Sequence, residues 1–192
     1  MADPVLASFD PKTQALFQHK GYVIEKRLGA GAFGTVYKAQ HSTTNTTAAV
    51  KVMDLSKMND SFRQKFLPRE LQALIMSKHE NLVQVWDIFR ADNKVTGCCC
   101  LEVHRENNPK TSASNLPVWI FMEFCGNGDI AEYVKKNKET STPLMAVWFL
   151  QASHGLQFLH EKLYCTHRDI KLGHYQLKTS AKLFFKLPYL FL

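Results

Sequence analysis

Residues 22–41 read YVIEKRLGAGAFGTVYKAQH, and residues 48–55 read AAVKVMDL. The flanks of the glycine cluster at 29–34 are rich in β-branched and aromatic residues, so each flank predicts a strand. AAVKVMDL predicts a third strand, with the turn residues NTT before it. Gly29, Gly31 and Gly34 form G-x-G-x-x-G. Glycines at this spacing let backbone N–H groups approach phosphate oxygens, because no Cβ stands in the way. The same string opens dinucleotide-binding folds, but there the last glycine starts a helix. Here TVYKAQ follows, a strand pattern, which argues against that use. A plain structural turn remains the bland alternative.

Outward from this sheet the period changes. SFRQKFLPRELQALIMSKH, 61–79, spaces Phe62, Phe66, Leu71, Leu74 and Ile75 as a helix does, and Pro68 marks its ordered start. Residues 82–91 and 118–124 predict two more strands. GNGD at 126–129 predicts a turn, with Asp129 able to cap the short helix IAEYVKKNK. A longer helix is predicted over 143–163, with Pro143 in its first turn. Two segments, 96–117 and 172–192, match no folding period, and no internal repeat is evident.

Composition sets the limits. Hydrophobic residues are 45% and charged residues 21% of the 192, enough apolar material for a packed core. The formal charge of +7 comes from scattered Lys and Arg, which reads as a solvated surface rather than a nucleic-acid patch. No signal peptide or membrane span is read. Five cysteines without paired C-x-x-C spacing predict reduced thiols, in a cytoplasmic or nuclear setting.

Lys51, in AAVKVM, gains meaning from its surroundings. Val36 and Ala49 are small apolar neighbours, and Glu70 lies on the predicted helix. A lysine that grips phosphates has to be held in place, and a glutamate on a facing helix does so by an ion pair. Taken alone, the two are equally well read as unrelated surface charges. With HENLV (79–83), FMEF (121–124) and HRDIK (167–171) the motifs fall in order, and residues 20–171 resemble a eukaryotic-type protein kinase. FRQKFLPREL (62–71) with GNGDI (126–130) is most similar to testis-specific serine/threonine kinases and their calcium/calmodulin-dependent relatives.

The resemblance implies an α+β fold. A small lobe of antiparallel sheet with one main helix would occupy 21–125, after an extension at 1–20. A partial, mostly helical large lobe would occupy 126–171, followed by a tail at 172–192. The implied activity is transfer of the ATP γ-phosphoryl to a serine or threonine hydroxyl of a protein substrate. Gly29, Ala30, Gly31, Ala32, Phe33 and Gly34 would cover the phosphates. Lys51 would pair with them, oriented by Glu70. Leu28, Val36 and Ala49 would enclose the adenine, with Met122 as gatekeeper. The backbone of Glu123 and Cys125 would meet the adenine edge, and Asp129 the ribose. Asp169 would accept the hydroxyl proton and Lys171 would steady the phosphoryl group, with His167 structural. Neither nucleic acid nor membrane is implied as a partner, and the oligomeric state is left open.

The pattern then departs from the family. The asparagine that holds Mg²⁺ is replaced by His174, and the position of the magnesium-binding D-F-G falls on Leu187, Pro188 and Tyr189. A neutral imidazole is a poor ligand for Mg²⁺, which prefers hard oxygen donors. Mg²⁺ is thus expected from the family while its protein ligands are missing here. The alternative function is therefore a catalytically inactive nucleotide- or partner-binding form. The abrupt starts of 96–117 and 172–192 suggest sequence from outside the usual coding frame; a tolerated hairpin loop is the alternative for 96–117. Transcripts lacking one or both segments are expected, and sequencing across both junctions checks this. Both segments in every transcript would refute it.

Overall fold

The computed structural model describes residues 9, 11–31, 34–61, 67–90 and 117–185. Described residues of 1–72 and 86–122 form one compact unit, and those of 73–85 and 123–192 a second. The element order is α1 (Pro11–His19), β1 (Tyr22–Gly31), β2 (Gly34–His41), β3 (Thr47–Met53), α2 (Leu67–Met76), β4 (Val85–Arg90), β5 (Val118–Glu123), α3 (Ile130–Lys136), α4 (Thr142–Lys162), β6 (Tyr175–Leu177) and β7 (Leu183–Phe185). Short 3₁₀ turns occupy Leu55–Lys57 and Leu172–His174. This is the α+β arrangement that the sequence predicts.

In the first unit the five strands run in the order β1-β2-β3-β5-β4. β1 and β2 form an antiparallel hairpin from Tyr22↔His41 to Gly31↔Gly34, and β2 pairs antiparallel with β3. Gly34 lies so close to β3 that a Cβ there would sit 1.9 Å from the Val52 carbonyl oxygen. The helix predicted near Pro68 is α2, described over Leu67–Met76. Residues 91–116 lie outside the described residues, and with them all but the last position of the segment 96–117.

The core of this unit is aromatic. Phe17, Ile24, Phe89, Trp119 and Phe121 are almost fully buried together. The Phe17 ring stands edge-on to Trp119, with centroids 4.9 Å apart, and tilted against Phe121 at 5.5 Å. Phe17 belongs to α1, which the sequence reading set apart in an extension at 1–20. The structure instead packs α1 on β1 and sends Phe17 into the core. PKTQALFQH carries too few apolar residues to reveal a helical period, so the sequence hid this role.

In the second unit α4 buries one stripe: Trp148, Ala152, Gly155 and Leu159. At Gly155 the helix lies close to 81–82; a Cβ would meet the Asn81 carbonyl oxygen and Leu82 Cδ2, each at 3.3 Å. Other apolar residues of the helix, among them Leu144, Val147, Leu150 and Phe158, lie outside that stripe. Leu144 and Phe158 are half-buried, while Val147 and Leu150 are 41% and 55% exposed. β7 packs against α4.

That hairpin lies in the segment read as patternless. Tyr175, Gln176 and Leu177 pair antiparallel with Phe185, Phe184 and Leu183, and all six are buried. Trp148 Nε1 donates to the Ser180 carbonyl at 3.2 Å, and Gln151 Nε2 to the Ala181 carbonyl at 2.9 Å. Leu183 N–H donates to Gln151 Oε1 at 2.6 Å. Strands of three residues buried on both faces leave no alternation to read.

Phe17→Ala is expected to destabilise the fold by about 3–5 kcal/mol, as a fully buried aromatic does when truncated. Urea unfolding checks it. An effect below ~1 kcal/mol would mean that α1 is peripheral.

Candidate functional site

Gly29 on β1 pairs with Val36 on β2, and Val36 pairs with Lys51 on β3. This row crosses the sheet and carries three of the sequence-predicted residues. Directly paired residues share a face, and Ala49, two residues before Lys51, shares it too. Ala49 is 8% exposed, Val36 is half-buried, and Leu28 is 42% exposed. Lys51 is only 4% exposed. A lysine so buried requires a counter-charge, because an isolated ammonium costs far too much to desolvate. Glu70, in the first turn of α2, is half-buried in the same unit. Met122 is buried on β5, directly before Glu123. Gly29, Ala30, Gly31 and Gly34 flank the loop tip, whereas Ala32 and Phe33 lie outside the described residues.

In the second unit Glu123 closes β5, and its N–H donates to the Gln84 carbonyl at 2.9 Å. Its carboxylate pairs with Lys178 Nζ at 2.5 Å. Lys178 also lies over the Phe184 ring, 5.1 Å from its centroid. Its carbonyl accepts from Asn127 Nδ2 at 2.5 Å. The stretch 123–127 is thereby tied to the β6–β7 turn, through residues the sequence reading did not single out. Cys125 is half-exposed. Asp129 caps α3, accepting from the Glu132 N–H at 2.9 Å, as the sequence predicts.

HRDIK forms an irregular loop between α4 and the 3₁₀ turn. Arg168 has φ 65°, a left-handed conformation that a non-glycine residue holds only where the surroundings impose it. His167, 1% exposed, stacks on Phe185 with ring centroids 4.3 Å apart. The Asp169 N–H donates to the His167 carbonyl at 2.9 Å and meets His167 Nδ1 at 3.3 Å. His167 is thus built into the loop as structure. Asp169 itself is 37% exposed at its side chain, and Lys171 Nζ lies 2.7 Å from its Oδ2. The Lys171 hydrogen bond holds the Asp169 carboxyl below the ordinary carboxylate range, with the charges of Lys171, His174 and His167 adding to it. Asp169 is therefore ionised at neutral pH.

ATP and Mg²⁺ are the cofactors of the kinase family implied by these motifs. The residues described here do not fit the metal. The ring at position 174 is buried, its Nδ1 lies 2.8 Å from the Asp169 carbonyl oxygen, and it offers nitrogen rather than oxygen. Among the described residues no three His, Cys, Asp or Glu side chains converge as a metal site. Positions 187–189 lie outside them. Also among the described residues, no helix is long and apolar enough to cross a membrane.

The protein kinase domain family profile matches residues 22–182, beyond Lys171 where the sequence reading ended the resemblance. Human testis-specific serine/threonine-protein kinase 4 is 28% identical over 158 residues, which are 82% of this chain and 41% of that protein. Mouse testis-specific serine/threonine-protein kinase 1 is 28% identical over 157 residues, 82% of this chain and 37% of that protein. The serine/threonine-protein kinase atg1 of Dictyostelium discoideum is 29% identical over 152 residues, 78% of this chain and 20% of that protein. The chain thus spans about two fifths or less of the length of these relatives.

Gly34→Ala is expected to cost about 1–3 kcal/mol, because the new methyl collides with β3 backbone and not with a flexible side chain. A lowered urea midpoint, with faster amide exchange in β2 and β3 than elsewhere, checks it. An unchanged midpoint would mean that β2 and β3 do not approach so closely.

Proposed function

The chain belongs to the protein kinase family, and from that premise we propose that it binds ATP and transfers the γ-phosphoryl to a serine or threonine hydroxyl of a protein. The observation that carries the reading is the 2.7 Å pair of Asp169 and Lys171. One loop presents an ionised acceptor for a hydroxyl proton and, beside it, a cation for a phosphoryl oxygen.

In this reading the substrate oxygen attacks the γ-phosphorus and bonds to it as the bond to the β-phosphate oxygen breaks and ADP leaves. The hydroxyl proton passes to Asp169. A loose, metaphosphate-like transition state asks little of the base, because the nucleophile's proton is lost late. A carboxylate held at low proton affinity therefore suffices to orient the hydroxyl. Lys171 balances negative charge on the transferring group. Lys51, buried and oriented by Glu70, holds the α- and β-phosphates, which the backbone of 29–34 covers. Leu28, Val36, Ala49 and Met122 shape the adenine site. Glu123 and Cys125 offer it backbone groups, and Asp129 reaches the ribose.

A second reading has its own observation. His174 gives its side chain to Asp169 and is no oxygen donor, which favours a form that binds nucleotide without transferring phosphoryl. The test is transfer of γ-labelled phosphate from ATP to a generic basic protein by purified 1–192, with Asp169→Ala beside it. Transfer that Asp169→Ala abolishes supports the kinase reading. Folded protein without transfer refutes it. ATP at one hundred times its dissociation constant is expected to add about 2.7 kcal/mol of stability, and Lys51→Met to remove most of that. Equal thermal shifts in both proteins would remove Lys51 from the site.

A further inference from the structure

His174 is 4% exposed, and in the reading above its only part is a negative one, as the residue that fails to supply an oxygen ligand. Its contacts define a positive one. Nδ1 lies 2.8 Å from the Asp169 carbonyl oxygen. A carbonyl only accepts, so Nδ1 carries the hydrogen. In the neutral ring the lone pair is then on Nε2, which faces Asp169 Oδ2 at 3.7 Å. Two acceptors face each other there; a proton on Nε2 converts that face into an ion pair. On the other side of Asp169, His167 Nδ1 receives the Asp169 N–H, so the neutral His167 ring carries its hydrogen on Nε2. Two buried imidazoles of opposite tautomer thus bracket one residue.

Further charged and titratable groups lie near His174 among the described residues. Lys171 reaches the same Asp169 oxygen, and the His167 ring centroid is 5.6 Å away. α3 packs against the 3₁₀ turn of His174 and brings Asp129, whose Oδ2 is 3.7 Å from where a Cβ on Gly173 would stand. The same helix carries Glu132, Lys135 and Lys136. β6, which follows the turn directly, begins with Tyr175.

We infer that His174 is a positioning residue for Asp169 and makes that acid proton-gated: the neutral ring fixes the Asp169 backbone and leaves the carboxylate to Lys171, while the protonated ring clamps Oδ2 between two cations. The clamped carboxylate is a poorer acceptor for a hydroxyl. On the kinase reading, transfer rises as pH rises through about 5–8, where histidines titrate, and His174→Asn, which keeps an amide donor for the carbonyl, flattens the profile. The inference rests on that reading for its consequence, but not for its test.

The test is a ¹⁵N side-chain titration of the full chain 1–192, wild type and Asp169→Asn, with the Asp169 carboxyl ¹³C signal followed in wild type and His174→Asn. The expected results are an Nδ1–H tautomer for neutral His174 and Nε2–H for neutral His167. Asp169→Asn is expected to lower the His174 midpoint by roughly 0.5 pH unit or more. In His174→Asn the Asp169 carboxyl signal is expected to lose its inflection in the histidine range. An Nε2–H tautomer at His174, or a midpoint that Asp169→Asn leaves in place, overturns the inference even if His174→Asn fails to fold. Coupled titration without phosphoryl transfer refutes the kinase reading and supports the gate. Transfer with uncoupled titration does the reverse.

Discussion

Phe185 is where three stretches of the second unit meet, and the geometry of the HRDIK loop depends on it. Its N–H donates to the Asn81 carbonyl at 2.8 Å, and its carbonyl accepts from the Val83 N–H at 3.1 Å. Its ring stacks on His167 on one side and on Tyr175, 4.5 Å away, on the other. HENLV, the loop and the β6–β7 hairpin are therefore one packed body. His167 fixes the Asp169 N–H because Phe185 fixes His167. A buried ring with two satisfied backbone groups is a rigid anchor, since neither group has water as an alternative partner.

The first unit solves a different problem with similar means. Its sheet has to hold a lysine ammonium in a buried place, and the aromatic cluster of Phe17, Phe89, Trp119 and Phe121 supplies the rigidity. Edge-to-face contacts between these rings add to the area they bury. α1 contributes Phe17 to that cluster, so residues before the first strand are part of what keeps β3 and its Lys51 in register. Gly34 acts in the same direction: by lacking a Cβ it lets the hairpin lie against the Val52 backbone, which aligns Gly29, Val36 and Lys51 in one row.

Much of this was legible in the sequence. The glycine cluster and its flanks defined β1 and β2, Pro143 marked the start of α4, and Asp129 capped α3 as read. What the sequence hid has physical causes. Phe17 is one aromatic in a short polar helix, so its burial depends on a sheet that no local pattern reports. The described residues of β6 and β7 are all buried, so they show no alternation. The clasp of Lys178 on Glu123 joins residues far apart in the chain, and lone charges are ordinarily solvated. His174 was visible, but only as a missing asparagine; its bond to the Asp169 carbonyl is a property of the turn at 172–174.

A division of labour in the loop follows from exposure. Lys171 and Asp169 are 58% and 37% exposed at their side chains, so water screens their attraction and the pair adds little to stability. What the pair does is place opposite charges side by side where solvent reaches them. The buried neighbours do the opposite: His167 and His174 meet solvent hardly at all, and they hold the backbone of Asp169 from both sides. Holding the backbone with imidazoles rather than amides has a consequence of its own. An amide holds a carbonyl in the same way at every pH, whereas an imidazole can take up a second proton beside the carboxylate. The residues that keep Asp169 in place are therefore also able to change what it can accept.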